Sequence, residues 1–371
     1  MSDLAWLATD SRTGRVLAEL PDLDLPKVSR VIGTYTSTTG SLPLPGAPEN
    51  WLRATLPRAA TLVLLVDGHP AWGGDVLRRE RTAGDDVALS LATPEAYLDA
   101  RFVGDVGYAG VGQSLIVADL ADRYLVDRGA DPGRPLLIDI LDGPGQVRDR
   151  AYNDVDDKTV LSVLQELSGV IGGPEWTIVW RHRSNPERYV PVLQVGTRVG
   201  RPVVDGLMPA ATFDLPGSVT DARLVEDWAS GRGATAVMAV STADGDVRPQ
   251  SSQHRSGDAE RPLVEYRYTP STNISTISVL EDHAARALAA LSGGAVALEL
   301  TADLATAPAP GREWDAGDDV GYVLGGIDQQ GRDTVPAFPG GMSGVARALG
   351  WVLDLGDVPT VTPILTAKEW A

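Results

Sequence analysis

The chain has 371 residues, no cysteine and a formal net charge of −18, with 43% hydrophobic and 22% charged residues. This composition is typical of a folded globular protein of two or three domains. The missing cysteines exclude disulfides and thiolate metal sites, and the acidic balance argues against nucleic-acid binding through counterion release. The first residues lack a signal peptide, and no apolar run approaches the roughly 20 residues that span a bilayer. We therefore expect a soluble chain that is made in the cytoplasm.

Residues 1–95 form a first block, in which short apolar runs alternate with turn residues, and this pattern predicts β-strands. The runs LAWLAT and RVLAEL flank a polar turn, and VSRVIGTYT follows them. The Asp67-Gly68 pair predicts a type I′ hairpin turn. Val87, Leu89 and Leu91 share one face of a later predicted strand.

The hairpin around that turn, residues 62–81, is apolar or small at nearly every position. A surface hairpin alternates apolar and polar residues because one of its faces meets water. Burial of each large apolar side chain contributes about 1.5–3 kcal/mol, so neither face of this hairpin is expected to stay in water. We expect a helix or another subunit to cover the outer face, and the small residues beside Trp72 and Trp351 favour such close packing. Two-layer packing within one chain is the alternative.

Residues 96–204 predict a small α+β unit with two helices. In GQSLIVADLADRYLVDRGA, Ile116, Leu120 and Tyr124 recur at helical spacing and Gly129 marks the expected end. In DKTVLSVLQELSGVIGG, Asp157 is the expected N-cap. The apolar stripe of this second helix comprises Leu161, Leu164, Leu167 and Ile171. The runs PLLIDIL, EWTIVWRHR and RYVPVLQVG predict the strands of the unit.

Residues 205–371 predict a second β region with one helix. The run GATAVMAVS predicts a buried strand, and the polar residues 242–262 predict a mobile loop. Ser278 and Glu281 fit a capping box for a helix over residues 279–292. The strand-like runs AVALELTAD, DDVGYVLGGI, GVARALGWVLDL and TVTPILTA follow. In the third of these runs, one parity is apolar except at Arg347, and it comprises Val345, Leu349, Trp351, Leu353 and Leu355.

The four histidines, His69, His182, His254 and His283, match no metal-binding motif and have no second histidine at ligand spacing. We expect His69 to be exposed at the hairpin tip and His283 to lie on a solvated helix face. His182 stands between two arginines, which is typical of a charge cluster at a strand end. The histidines therefore predict no metal site.

Other motifs of catalysis are incomplete. Ser343 in GGMSGVA lacks the final glycine of GxSxG, which favours a glycine-rich hairpin loop, and GYAGVGQS lacks the end of a P-loop. The acidic run NDVDDKT (Asp154, Asp156, Asp157) lacks the glycine and glutamate of a calcium loop. The run WDAGDDV (Asp315, Asp318, Asp319) is typical of a turn before a strand. A paired-carboxylate glycosidase site stays open, but nothing selects its pair among 50 acidic residues. We predict no catalytic, cofactor-binding or metal-binding residue, and no enzyme.

Three stretches of the chain, taken in order, carry a resemblance to a known family. They are LVLLVDGHPAWGGDVLRRER, then SVLEDHAARALAALSGGAVALELTADL, then the region from PGREWDAGDDVGYVLGG to GGMSGVARALGWVLDLGDVPTVTPILTA. Together they resemble the minor tail proteins of tailed bacteriophages, specifically the hub of the baseplate or tail tip in phages of high-GC Gram-positive hosts. The resemblance covers most of the chain in outline.

This resemblance implies a mainly β protein of the α+β class. It implies two tube-like antiparallel β-barrel or sandwich domains, residues 1–95 and 205–371, with helices covering them and an inserted α+β domain at residues 96–204. It also implies a homotrimer that adapts the sixfold tail tube to threefold tip components and lines the DNA exit channel. An acidic lumen would not hold the passing DNA.

The same resemblance implies the partners and the location of the protein. The partners would be the distal tail protein, the tape measure protein and tail fibre or spike proteins. The chain would need no cofactor, would not insert into a membrane, and would reside at the virion tail tip after assembly in the host cytoplasm. Because the chain ends directly after its last predicted strand, we expect no C-terminal lysin or receptor-binding extension.

Three other functions remain open at this point. A hub in a phage-derived injection particle fits the same features. A receptor- or carbohydrate-binding tail protein would use some of the nine tryptophans to stack on sugars, although their apolar strand contexts favour core packing. A cell-wall-degrading enzyme is disfavoured by the missing motifs.

Overall fold

The fold is mainly β, as predicted. The computed structural model describes residues 3–126, 133–204, 208–242, 248–270 and 274–366. The strands in these ranges are β1 Leu4–Asp10, β2 Val16–Glu19, β3 Lys27–Val31, β4 Ser37–Pro43, β5 Ala60–Val66, β6 His69–Arg81, β7 Asp86–Ala92, β8 Val106–Gly112, β9 Leu137–Ile140, β10 Val147–Tyr152, β11 Glu175–Ser184, β12 Glu187–Gly196, β13 Thr212–Leu215, β14 Val219–Asp227, β15 Ala236–Ala239, β16 His254–Arg255, β17 Glu265–Tyr268, β18 Ala295–Asp303, β19 Asp319–Leu324, β20 Met342–Asp354 and β21 Thr360–Leu365. The α-helices there are α1 Trp51–Ala54, α2 Gln113–Tyr124, α3 Val160–Ser168 and α4 Ile277–Leu291. None of these helices is long and apolar enough to cross a membrane.

Contacts divide the chain into two compact units. The larger unit comprises Met1–Asp221 and Leu300–Ile364, and the smaller one comprises Ala222–Glu299 and Leu365–Ala371. The finer division into residues 1–95, 96–204 and 205–371 stays a prediction.

The N-terminal sheet of the larger unit has six antiparallel strands in the order β2-β1-β5-β6-β7-β4. Asp67 and Gly68 join β5 to β6 with positive φ angles of 49° and 76°. Positive φ at both central residues defines a type I′ turn, so the predicted turn is confirmed. The predicted face of Val87, Leu89 and Leu91 is buried on β7, which confirms the period-2 pattern there.

The second large sheet draws strands from both ends of the chain. Its order is β13-β19-β20-β21-β18-β14, and β3 also pairs with β20. The long strand β20 pairs with β19 through Met342–Arg347 and with β3 through Gly350–Asp354. Strand β3, which belongs to the first predicted block, is therefore built into a sheet formed mostly by C-terminal residues.

A third sheet, β11-β12-β9, carries the two predicted helices α2 and α3 on one face. Their shared core comprises Leu98, Val103, Ile116, Val117, Leu120, Ala121, Leu125, Leu136, Tyr152, Val160, Leu161, Val163, Leu164, Leu167, Trp176, Ile178, Leu193 and Val195. The predicted stripes of both helices contribute to this core. Gly129, the predicted end of the first helix, lies outside the described residues.

The ends of α3 differ from the prediction. Its N-cap is Thr159, whose hydroxyl accepts a hydrogen bond from the Ser162 N–H at 3.2 Å. Asp157, the predicted N-cap, adopts a left-handed conformation with φ of 47° two residues earlier. The helix ends at Ser168, so Ile171 lies beyond it with 92% of its surface exposed instead of joining the stripe. The helical spacing of apolar residues in the sequence continues past Ser168, where the helix itself ends.

The smaller unit contains the three-stranded sheet β16-β15-β17, which packs against α4. Its core is small, and it comprises Ala234, Val237, Ala239, Leu280 and Ala284. Within the loop predicted over residues 242–262, His254 and Arg255 form β16, and residues 243–247 lie outside the described residues.

Candidate functional site

The first face of the β5–β6 hairpin is buried by aromatic residues and by β3. Leu64 pairs with Trp6 of β1 and with Trp72 of β6, and the two indoles meet edge to face at 6.0 Å. The Trp72 indole N–H donates to the Ser29 carbonyl of β3 at 2.9 Å. This contact satisfies the polar atom of a side chain that is 1% exposed.

The second face of the hairpin is covered by β11 and β12. Val63 packs in a cluster with Leu7, Trp180 and Tyr189, and a Cβ atom built on Gly73 would lie 2.4 Å from the Trp180 ring. Glycine is therefore required for the Trp180 ring to approach this closely. The expectation that a helix or another subunit covers this face is wrong, because strands of the same chain cover it.

A buried polar network fixes the edge of this junction. Arg134 forms an ion pair with Asp75 of β6, and their side chains are 8% and 4% exposed. Thr61 donates to Asp75 at 2.7 Å, and its hydroxyl lies 3.0 Å from that of Ser11. A buried charge pair is stable only when its remaining hydrogen-bonding groups are satisfied, and these hydroxyls contribute to that. No pattern in the sequence indicates this network, because Arg134 stands outside every periodic apolar run.

Arg347, which interrupts the apolar parity of β20, is also explained by an ion pair. Its Nη1 donates to Glu175 of β11 at 2.7 Å, and Nη2 donates to the Val199 carbonyl at 3.1 Å. Burial alone would raise the pKa of the Glu175 carboxyl, but hydrogen bonds from Arg347 and the Val199 N–H hold that pKa below its ordinary value. Arg347 thus joins the C-terminal sheet to the β11–β12 hairpin.

The part of β20 before Arg347 leaves an apolar face uncovered. Val345 lies opposite Gly321, and Val323 lies opposite Ser343, so both valines occupy the same face of the β19–β20 pair. Each is 43% exposed. Further along β20, Trp351 and Leu353 are fully buried. We call Val323 and Val345 the open valine face.

The histidines do not converge on one site. His69 is exposed at the start of β6, and His182 stacks on Tyr189 with ring centroids 4.9 Å apart. His283 stacks on Tyr268 at 5.6 Å. Among the described residues, no group of three potential metal ligands comes together.

The predicted capping box at α4 is wrong. The helix begins at Ile277 after Thr276, and no side chain caps it. Glu281 instead accepts hydrogen bonds from the Ser252 N–H at 2.7 Å and from the Ser252 hydroxyl at 2.8 Å, and it lies 2.6 Å from His254 Nε2. These contacts, the Ser252 N–H first, lower the pKa of Glu281 to about 2. The carboxylate thus holds a connecting segment on the helix within the smaller unit.

Ser343, the run GYAGVGQS and the two acidic runs lie in ordinary strands, helices, turns and ion pairs. Ser343 lies exposed in β20 and not in a hairpin loop, which corrects that prediction. The run GYAGVGQS forms β8 and the start of α2, so it is no phosphate-binding loop. In the acidic run before β19, Asp315 pairs with Arg30, Asp318 with Arg201, and Asp319 with Arg198. The run 154–156 is one turn of 3₁₀ helix.

The tryptophans are mostly core residues, as predicted. Those below 10% exposure are Trp6, Trp72, Trp176, Trp180, Trp314 and Trp351. Trp51 and Trp228 are partly exposed, and each lies under an arginine, at 5.9 Å from Arg79 and 4.3 Å from Arg261. Trp370 lies outside the described residues. A row of open indole faces for sugar stacking is absent from the part of the chain that the structure describes.

Comparisons with known proteins give structural matches only. No protein-family model and no curated protein sequence matches the chain. A 43 kDa tail protein of prophage MuSo2 from Shewanella oneidensis matches with a TM-score of 0.55 and 10% identity, over 99% of this chain and 98% of that one. A tail protein from Neisseria meningitidis MC58 matches with a TM-score of 0.51 and 13% identity, over 98% and 96% of the two chains.

A third match comes from a protein complex. A chain in the Francisella PdpA–VgrG complex matches with a TM-score of 0.50 and 8% identity, over 98% of this chain and 57% of that one. The resemblance drawn from the sequence is therefore confirmed at the level of the fold: this chain has the fold of phage and prophage tail proteins.

Proposed function

We propose that this protein is a structural component of a phage tail tip, a trimeric hub that joins the sixfold tail tube to threefold tip parts. The observation that carries this proposal is the end-to-end likeness of the fold to two tail proteins, which spans at least 96% of each chain. Shared topology over the full length is more informative than a match of one domain, although fold alone does not fix function. The same likeness supports a structural role instead of an enzymatic one.

Unfilled surfaces on the larger unit support an assembly role. The open valine face exposes two aliphatic side chains on adjacent strands, whereas scattered single exposures are ordinary. At the edge of the same sheet, β13 pairs with β19 and with no second strand among the described residues. Unpaired strand edges readily pair with another chain. We propose that a second copy covers the open valine face in the trimer.

The domain roles follow from the same proposal. The N-terminal sheet would form one tube-like domain and the second large sheet the other, with β11–β12, α2 and α3 as the inserted domain. The DNA exit channel would run inside the ring. The net charge of −18 suits such a lining, because like charge keeps DNA from adhering to the wall. Distal tail, tape measure and fibre or spike proteins would bind the two ends of the ring.

The test is the solution mass of the purified chain by light scattering, combined with negative-stain imaging. We expect a trimer and rings with threefold symmetry. Val345→Glu, which places a charge on the open valine face, is expected to shift the mass toward the monomer. Val155→Glu is the matched control, because Val155 is 87% exposed on a single turn.

Two results would contradict the proposal. If the unaltered chain were monomeric at all accessible concentrations, the proposed hub role would be wrong. If Val345→Glu and Val155→Glu changed the mass of the trimer to the same extent, the chain would still be a trimer. The open valine face would then not belong to the trimer interface.

A further inference from the structure

A cavity of about 610 Å³ lies within the larger unit, and neither valine of the open valine face lines it. Its walls come from the hairpin tip at Pro70, the β11–β12 sheet, the segment after β12 and the loop 311–318. Ligand-binding cavities typically measure about 300–1,000 Å³. The size is therefore that of a small-molecule site.

The charge of the lining is opposite to that of the chain. The lining arginines are Arg30, Arg181, Arg198, Arg201 and Arg312, and the lining acids are Asp142, Asp315 and Asp318. Arginines thus outnumber acids five to three in the lining, while the whole chain has an excess of acids. Arg181 and Arg198 pair with acids outside the lining, Asp139 and Asp319. Arginine presents a planar set of donors that matches carboxylate and phosphate groups.

The inner end of the cavity holds a buried arginine with spare donor capacity. Arg30 pairs with Asp315, stacks over Trp351 with its Cζ 5.5 Å from the ring centre, and keeps only 4% of its side chain exposed. Burial lowers the pKa of Arg30 to about 10, so it stays charged at neutral pH. Its Nε has no hydrogen-bond partner among the described residues, and neither does the Nε of Arg198. Buried donors in folded proteins are nearly always paired.

The rim holds an arginine without a close partner. The charged nitrogens of Arg312 lie 3.7 Å from Asp67 and 3.5 Å from Glu313, at or beyond the limit of a hydrogen bond. By contrast, Arg201 is held by Asp318 at 2.7 Å. Arg312 is therefore the lining arginine that is most available to a ligand. Trp180 and Trp314, which are 9% and 1% exposed, are the aromatic residues of the lining.

From this arrangement we propose that the cavity binds a small organic anion, with a carboxylate or phosphate group held by Arg312 at the rim and an apolar body against the tryptophan walls. This site is independent of the tail-tip proposal, because its residues lie in one unit of one chain.

The test is isothermal titration of the purified full chain at constant ionic strength. The probes are phenyl phosphate, benzoate, inorganic phosphate and uncharged benzyl alcohol. We expect one saturable site per chain for phenyl phosphate or benzoate, with weaker binding of inorganic phosphate because it leaves the apolar walls unfilled. The stronger of the first two probes distinguishes a phosphate from a carboxylate ligand.

Two arginine variants make the test specific. Arg312→Gln is expected to weaken binding about tenfold or more, as for the loss of one charge-assisted hydrogen bond. Arg332→Gln is the matched control, because Arg332 is 73% exposed and pairs with Asp328 away from the cavity; it should bind like the unaltered chain. Thermal unfolding of both variants without probe checks that they fold.

Several outcomes would overturn the proposal. They are no saturable heat with either aromatic anion, equal binding of benzyl alcohol, or unchanged affinity in Arg312→Gln. Binding of a glutamate-rich peptide in the absence of any small-anion binding would assign the cavity to a partner segment instead.

Discussion

The β5–β6 hairpin and the β19–β20 pair both contain runs of apolar and small residues but differ in their surroundings. The runs ATLVLLV in β5 and VGYVL in β19 indicate burial on two faces. The hairpin meets that expectation inside its own chain, between β3 on one side and β11–β12 on the other. The β19–β20 pair does not, because Val323 on β19 and Val345 on β20 each remain 43% exposed. The difference teaches that an apolar strand predicts a cover but does not identify it.

The largest effect that tests this comparison is expected at Trp72. Trp72→Ala should lower the free energy of unfolding by about 3–5 kcal/mol, because it removes a fully buried indole and leaves a cavity. Val345→Ala on the open valine face should cost well under about 1 kcal/mol. Urea unfolding of both variants, at one protein concentration at which the chain is monomeric, measures the difference. If both variants lowered the free energy of unfolding by similar amounts, the hairpin face and the open valine face would not differ in burial.

The buried ion pair beside the hairpin is expected to follow closely. Arg134→Met should cost about 3–5 kcal/mol, because it leaves the Asp75 carboxylate buried without its cation. Arg223→Met is the control, since the Arg223–Glu299 pair is more than half exposed on both sides and such pairs contribute about 0–1 kcal/mol. Denaturant midpoints of the two variants provide the comparison. A cost for Arg134→Met no larger than that of the control would mean that water reaches Asp75.

A smaller effect is expected at the contact between the hairpin and β11. Gly73→Ala places a methyl group 2.4 Å from the Trp180 ring, and such overpacking typically costs about 1–3 kcal/mol. Gly107→Ala in β8 meets no atom within 4 Å and should be near neutral. Thermal unfolding distinguishes them. If Gly73→Ala were as stable as Gly107→Ala, the cover over the second face would be looser than described.

The smallest effect is a pH dependence at the boundary between the sealed and open parts of β20. The pKa of Glu175 lies below its ordinary value in the folded chain, so the unfolded chain binds more protons as the pH falls. The stabilisation from this group is present above about pH 4.3 and is lost as the pH falls through the folded-state pKa. Glu175→Gln should therefore be less stable at neutral pH and lose less stability on acidification. Urea midpoints across that range test the sign, and a steeper acid loss in Glu175→Gln would refute it.

Much of the strand pattern was predictable, because it depends on local signals. The Asp67-Gly68 turn, the alternation of Val87, Leu89 and Leu91, and the stripes of α2 and α3 are all encoded within a few residues. The helix ends were not predictable, since Asp157 and Ser278 fit capping patterns but Thr159 and Thr276 precede the helices. Whether a carboxylate caps a helix depends on which donors lie near it in the folded chain. Glu281 accepts hydrogen bonds from Ser252 instead.

The cavity was the least predictable feature. Its arginines come from segments between Arg30 and Arg312, and no spacing rule relates them. The sequence contains only a partial signal of buried ion pairs. Arg30 interrupts the apolar run VSRVIG and Arg347 interrupts β20, and both arginines are ion-paired. A charged residue inside an apolar strand therefore indicated a buried partner, although the partner itself could not be named from the sequence.

The pairing of β3 with β20 has a consequence for how the chain is made. The ribosome makes residues 27–31 long before their hydrogen-bonding partners at residues 350–354. Contacts of such long sequence separation slow folding, and an exposed strand waiting for its partner is prone to mispairing. Nascent chains that have not yet reached residue 350 should therefore carry β3 without its partner strand and depend on chaperones until residues 350–354 are made.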